Sequence, residues 1–235
     1  MRLAIFDIDG TLTQTNRLDA MCFVRAVAEE FGIATGDDWS QYAHSTDSGI
    51  SSEIVERALH RRPTAVELSR LQHRFVALLE HAIAASPASC RATPGAAEGL
   101  RQLDQAEHWA VAIATGSWRA SAVVKMRAAG LSVAGRPAAF ADDSVWREDI
   151  IACAQRRALA HYECAQFDRV VYLGDAVWDV RSARRLRLPF IGVGGARRAA
   201  MLRGAGARYV LTDFAEWSRV LRYLDEATIP EGESR

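Results

Sequence analysis

Asp7 and Asp9 stand two residues apart in LAIFDIDGTLT, Leu3 to Thr13. Side chains two apart on an extended segment share a face. Both carboxylates are therefore expected together at the carboxyl end of the apolar run Leu3, Ala4, Ile5, Phe6, which reads as a buried strand stopped by Gly10. Like charges this close are costly unless a proton or a cation separates them. The pair points to metal binding, acid–base work, or both. An EF-hand calcium loop is excluded, because Leu12 and Leu18 stand where its Gly and Glu would fall and a strand, not a helix, precedes the acids. Ordinary Asp-Gly turn chemistry is the structural alternative, so the rest of the chain has to decide.

Three further segments place polar groups beside apolar strands. In AVAIATGSW, Ala110 to Trp118, a strand empties into Thr115, Gly116 and Ser117. A hydroxyl followed by backbone N–H groups at a helix start can cradle an anion, with a plain helix cap as the alternative. In VVYLGDAVWD, Val170 to Asp179, a strand delivers Asp175 and Asp179 follows one turn into a helix. One acid there could be a cap, whereas two beside a glycine suit a cation. Arg147, in DDSVWREDI, immediately precedes the helix that leads into that strand. Lys125 is the only lysine, so few positions could supply a catalytic ammonium.

These residues must be carried by a scaffold, and the pattern names it. After Thr13 the apolar spacing turns helical over Asp19–Phe31, then over Ser52–Arg61 and Thr64–Ala85, with a polar stretch Gly36–Ser52 between the first two. Ser86–Gly95 reads as a linker. From there helices and strands alternate: helix Ala96–Gln105, strand Trp109–Ala114, helix Arg119–Ala129, helix Glu148–Tyr162, strand Val170–Leu173, helix Val177–Leu186, strand Phe190–Val193, helix Arg197–Arg203, strand Tyr209–Leu211 and helix Glu216–Asp225. Repeated β–α units predict an α/β fold with a Rossmann-like parallel sheet covered on both faces. The expected division is a core of residues 1–15 and 90–235 with an all-helical domain, 16–89, inserted above the strand ends.

Composition narrows the function classes. The chain of 235 residues is 49% apolar and 25% charged, with 29 basic and 29 acidic residues. A formal charge of +0 supplies no global field toward nucleic acid or membranes, and no apolar run is long enough to span a bilayer. Cys22, Cys90, Cys153 and Cys164 show no CxxC spacing, which speaks against a zinc site or disulfide framework. The Asp-bearing strand begins almost at once, leaving no room for a signal peptide, so a cytoplasmic address is expected. GVGGAR, Gly192 to Arg197, lacks the last glycine of a dinucleotide loop, and the arginines at 181, 184, 185 and 187 read as a solvated helix face.

Taken in order, the DxDGT stretch, the strand ending in Thr115, the basic Arg147 and the GDxxxD stretch resemble the four motifs of the haloacid dehalogenase superfamily of phosphohydrolases. The helical insert resembles that family's cap domain. One departure stands out: Arg147 takes the place of the usual lysine, and it serves if the role is only to balance charge, since Arg stays protonated. Lys125 is the rival, but it lies on the helix after Thr115. The resemblance implies that Asp7 attacks phosphorus and that Asp9 protonates the leaving oxygen and later activates water, with its pKa raised by Asp7. It implies Mg²⁺ held by Asp7, the backbone carbonyl of Asp9 and Asp175, with Asp179 holding a bound water or acting as a ligand. Arg147 would balance charge while Thr115 and Gly116 bind phosphate oxygens. HSTDSGIS, His44 to Ser51, resembles the specificity region of the phosphoglycolate phosphatase branch, and His44, Asp47 and Arg17 are candidates to face a small phosphorylated metabolite. A phosphomutase shares every motif, and a catalytically silent interaction protein would keep the fold.

Overall fold

The computed structural model describes residues 1–232. Six parallel strands form one sheet in the order β3-β2-β1-β4-β5-β6. They are β1 Arg2–Phe6, β2 Trp109–Ala114, β3 Ala138–Ala139, β4 Arg169–Gly174, β5 Phe190–Val193 and β6 Tyr209–Leu211. The helices are α1 Asn16–Phe31, α2 Asp47–Leu59, α3 Ala65–Ala85, α4 Ala96–Asp104, α5 Arg119–Ala128, α6 Arg147–His161, α7 Val177–Arg185, α8 Ala196–Gly204 and α9 Trp217–Glu226. This is the α/β, Rossmann-like parallel sheet that the repeated units predict.

Period-two alternation sorts the strand side chains between two apolar layers. Ala4 and Phe6 of β1, with Val111 and Ile113 of β2, meet α4, α5 and α9 on one face. Leu3 and Ile5, with Ala110 and Ala112, meet α6, α7 and α8 on the other. Both faces are covered, as a parallel sheet requires. Among the described residues, no helix is long and apolar enough to cross a membrane.

Helices α1, α2 and α3 form a separate apolar cluster. The ring of Phe23 on α1 lies 5.6 Å from that of Phe75 on α3 and 6.0 Å from that of Trp118, which precedes α5. Burying a side chain such as Phe75 completely contributes about 1.5–3 kcal/mol. The insert is thus bolted to the sheet layer through Trp118. A capping box starts α3: Thr64 Oγ1 accepts the Glu67 N–H at 3.3 Å, and the Glu67 carboxylate accepts the Thr64 N–H at 2.8 Å. Helix α2 begins at Asp47 rather than Ser52, because Thr46 Oγ1 accepts the Gly49 N–H and draws part of the expected polar loop into the helix. Strand β3 has no counterpart in the sequence reading.

Candidate functional site

Phe6 pairs with Ile113 on one side and Leu173 on the other, so β2 and β4 end level with each other, one residue beyond β1. The residues just beyond them therefore leave the sheet along one edge: Thr115 after β2, Asp7 after β1 and Asp175 after β4. The chain order runs outward in opposite senses from β1, to β2 on one side and β4 on the other, and the crevice at such a switch point is where these sheets bind ligands. Gly10 turns the chain away at φ +76°, and a Cβ there would collide with the Asp175 carboxylate and Asn16 Oδ1.

Three of the four sequence-identified acids converge. One carboxylate oxygen each from Asp7, Asp175 and Asp179 lies within 4.8 Å of the others, all buried. Arg147 sits among them, with Nη1 3.5 Å from Asp7 Oδ1 and Nη2 3.0 Å from Asp179 Oδ1. It occupies the balancing position expected of it, whereas Lys125 lies elsewhere. Asp179 is fully engaged: Oδ2 accepts the N–H groups of Asp175 (3.1 Å) and Ala176 (3.0 Å), and Oδ1 accepts the Tyr172 hydroxyl at 2.8 Å. Asp175 Oδ2 accepts from Asn16 Nδ2 at 3.1 Å and pairs with Arg198 Nη1 at 2.5 Å. Asp7 Oδ1 is buried and accepts no hydrogen bond.

Burial pushes the Asp7 carboxyl well above the ordinary range despite Arg147, and the charges of Asp179, Asp175 and Asp9 push the same way. Burial likewise lifts Asp175 to about 7, with Arg198 opposing it. Such carboxylates ionise together only when a cation neutralises them. The donor set is hard oxygen, with an unpartnered oxygen on Asp7, which fits a divalent ion of the Mg²⁺ type. Asp7 and Asp175 have the freer oxygens for it. Asp179, held by four donors, is better placed to orient the others.

The Asp9 side chain goes elsewhere, which corrects the sequence reading. Its Oδ1 accepts from Thr15 Oγ1 at 2.5 Å, and its Oδ2 accepts from Ser117 Oγ at 2.8 Å and Lys125 Nζ at 2.6 Å. Burial alone would raise its pKa, but the Lys125 charge and these hydrogen bonds outweigh burial and lower it, not raise it. The sequence reading set Lys125 aside as a rival to Arg147 and missed its contact with Asp9. It also missed Asp19 on α1, which holds Lys125 from the other side, and Arg198 beside Asp175. The singular lysine was the one available signal.

Thr115 and Gly116 line a 400 Å³ cavity with Asp7, Asp9, Arg147 and Asp175. A Cβ at Gly116 would come within 2.5 Å of the Ser45 carbonyl oxygen and 2.7 Å of Arg147 Nη1, so the backbone there is open to the cavity only because it is glycine. Asp47 is buried, not solvated. Its N–H donates to the Gly116 carbonyl at 2.7 Å and its carboxylate accepts the Trp118 N–H at 2.9 Å, fastening the insert to this loop. Arg17 is exposed at the rim of the same cavity. His44 lines an adjoining cleft of 880 Å³, also walled by Trp39, Trp146, Trp178, Arg185 and Arg197. Its ring lies 4.4 Å from that of Trp146, and the buried Nδ1 has no partner.

Residues 1–187 match the model of a family of haloacid dehalogenase-like hydrolases. Over 195 residues, the chain is 29% identical to a phosphoglycolate phosphatase of Agrobacterium fabrum (strain C58), covering 81% of this chain and 79% of that one. Among solved structures it is similar to a hydrolase from Pseudomonas syringae, with a TM-score of 0.72 and 24% identity over 96% of this chain and 99% of that one. It is also similar to a mutant of the CbbY protein of Rhodobacter sphaeroides in complex with xylulose-1,5-bisphosphate, with a TM-score of 0.61 and 21% identity over 91% and 95% of the two chains.

Proposed function

Because this chain belongs to the haloacid dehalogenase-like hydrolases, we propose that it is a phosphatase that moves the phosphoryl group of a small organic phosphate first onto Asp7 and then to water. The observation that carries this reading is the Asp7 Oδ1 atom, buried and without a hydrogen bond, between Arg147 and the Asp175 carboxylate. A nucleophile needs a free lone pair, and both oxygens of Asp179 and of Asp9 are already taken by hydrogen bonds.

In the first displacement an Asp7 oxygen forms a bond to phosphorus and the bond from phosphorus to the leaving oxygen breaks. Asp9, ionised in the free site, takes up a proton as the anionic substrate enters beside it and gives that proton to the leaving oxygen. In the second, Asp9 takes a proton from water, the water oxygen bonds to phosphorus, and the Asp7–phosphorus linkage breaks to release phosphate. The Thr115 hydroxyl and the Gly116 N–H hold phosphate oxygens as charge builds, and Arg147 offsets that charge from the side. Mg²⁺ bound by Asp7 and Asp175, with the Asp9 carbonyl as a further ligand and Asp179 orienting them, would neutralise phosphate charge.

Residues 16–89 serve as a cap over residues 1–15 and 90–235, held against the Thr115–Gly116 loop by the Asp47–Gly116 contact. The name of the Agrobacterium relative favours phosphoglycolate. The 880 Å³ cleft beside His44 admits a longer leaving group of the sugar-phosphate type. A panel of phosphomonoesters from phosphoglycolate to sugar phosphates and bisphosphates, assayed for free phosphate with and without Mg²⁺, tests the reading. Metal-dependent phosphate release supports it. Isomer formation without phosphate release would make the protein a mutase, and no turnover across the panel would refute the reading.

A further inference from the structure

Lys125 is the chain's only lysine and is 0% exposed. An ammonium carries three hydrogens, and each is spoken for: Nζ donates to Asp9 Oδ2 at 2.6 Å, to Ser117 Oγ at 2.9 Å and to Asp19 Oδ1. Ser117 passes its own hydrogen to the same Asp9 oxygen at 2.8 Å. Taking a cation out of water costs several kcal/mol, and an apolar residue of like volume often packs as well or better. Folding alone therefore explains the lysine poorly. Its surroundings also select a function: two of its three acceptors are Asp9 and the hydroxyl that orients Asp9, and the third is a carboxylate on α1, the first helix of the insert.

We propose that Lys125 is a positioning residue for Asp9, fixing the carboxylate in one rotamer and tying it through Asp19 to the inserted helices. The proposal deepens the phosphatase reading and rests on Asp9 as the group that protonates the leaving oxygen. Without Lys125, the carboxylate loses its one charged partner and keeps only the hydroxyls of Thr15 on Oδ1 and Ser117 on Oδ2, so it is held less firmly in that rotamer. The proton then arrives late, which matters for poor leaving groups and hardly at all for an activated one.

The test measures kcat/KM for 4-nitrophenyl phosphate, phenyl phosphate and 2-phosphoglycolate in the intact protein and in Lys125→Met, Asp19→Asn and Asp9→Asn. This parameter stops at the first irreversible step and so isolates leaving-group release. Positioned proton transfer is worth roughly 10²–10⁴ in rate, so Lys125→Met should lose about tenfold to a hundredfold more on the two poor leaving groups than on 4-nitrophenyl phosphate. Asp19→Asn keeps the Lys125–Asp9 pair and should show the same selectivity more weakly, which decides the matter if Lys125→Met does not fold. Equal losses on all three substrates, or none, in these two variants would overturn the proposal. Equal losses in Asp9→Asn would refute instead the acid role of Asp9.

Discussion

Replacing Arg147 with Met should expose how much this site depends on one cation. The guanidinium is 7% exposed and faces Asp7 at 3% and Asp179 at 0%. Removing one partner of a buried ion pair costs about 3–5 kcal/mol, because the other charge is left without compensation. Here the penalty is unevenly shared. Asp179 keeps the Tyr172 hydroxyl and two backbone N–H groups, whereas Asp7 Oδ1, the oxygen that faces Arg147, accepts no hydrogen bond. Burial already raises the Asp7 pKa, so it can take up a proton, which sets the loss near the lower end, about 3 kcal/mol. In a chain of this size each kcal/mol is about 2–4 °C, giving a fall in Tm of about 6–12 °C. Mg²⁺ should restore part of it, since an ion at a hundred times its Kd adds about 2.7 kcal/mol. The loss should shrink as pH falls, because the raised Asp7 pKa means protonation removes the orphaned charge first. Thermal melts of both proteins, with and without Mg²⁺ at several pH values, provide the assay. A variant melting within about 2 °C of the parent in the absence of ion would refute the reasoning, as would a Mg²⁺ shift no larger than the parent's.

Arg198→Ala should tighten Mg²⁺ binding by about fivefold in calorimetry, since the contact between the partly exposed Arg198 and the buried Asp175 must open for the ion and a pair screened by water on one side is worth up to about 1 kcal/mol; unchanged or weaker binding would speak against Asp175 as a ligand. Asp19 is raised to about 6 by burial, with Lys125 opposing, so the folded state holds its proton above the unfolded pKa near 3.8 and loses stability as pH rises from about 4 to 6. The stability difference between the parent and Asp19→Asn should therefore drift against the parent by up to about 3 kcal/mol across that window, less because the side chain is 17% exposed; a flat difference in denaturant titrations would contradict it. Gly116→Ala forces the added carbon against Ser45 and Arg147 and should cut kcat/KM by about a hundredfold, as misplacements near 1 Å do; parent-like activity would remove Gly116 from the phosphate cradle.

How legible the molecule was depends on how local each feature is. Strands β2, β5 and β6 agree residue for residue with the sequence reading, because each is a short apolar run bounded by turn residues. Helix α2 starts earlier than expected, since the burial of Asp47 is decided by Trp118 and Gly116, far away in the chain. The two-residue β3 offers no periodicity to detect. The acids of the site lie at fixed spacings beside strands, so their convergence could be anticipated from topology. The Lys125–Asp9–Asp19 arrangement could not, because α5 and α1 meet only through the packing of the insert. That packing also reverses the expected direction of the Asp9 pKa: burial raises it, but a buried ammonium 2.6 Å away, with the hydroxyls of Thr15 and Ser117, acts more strongly.

The central claim is that Asp7 carries the phosphoryl group. It is tested most directly by quenching turnover of 4-nitrophenyl phosphate in acid, reducing with borohydride and sequencing the peptides by mass. An acyl phosphate is reduced by borohydride while a free carboxylate is not, so the account predicts homoserine in place of Asp7, enriched in Asp9→Asn where release to water is slowed. Phosphate release with Asp7 unmodified in every quench, or reduction at a different residue, would contradict it.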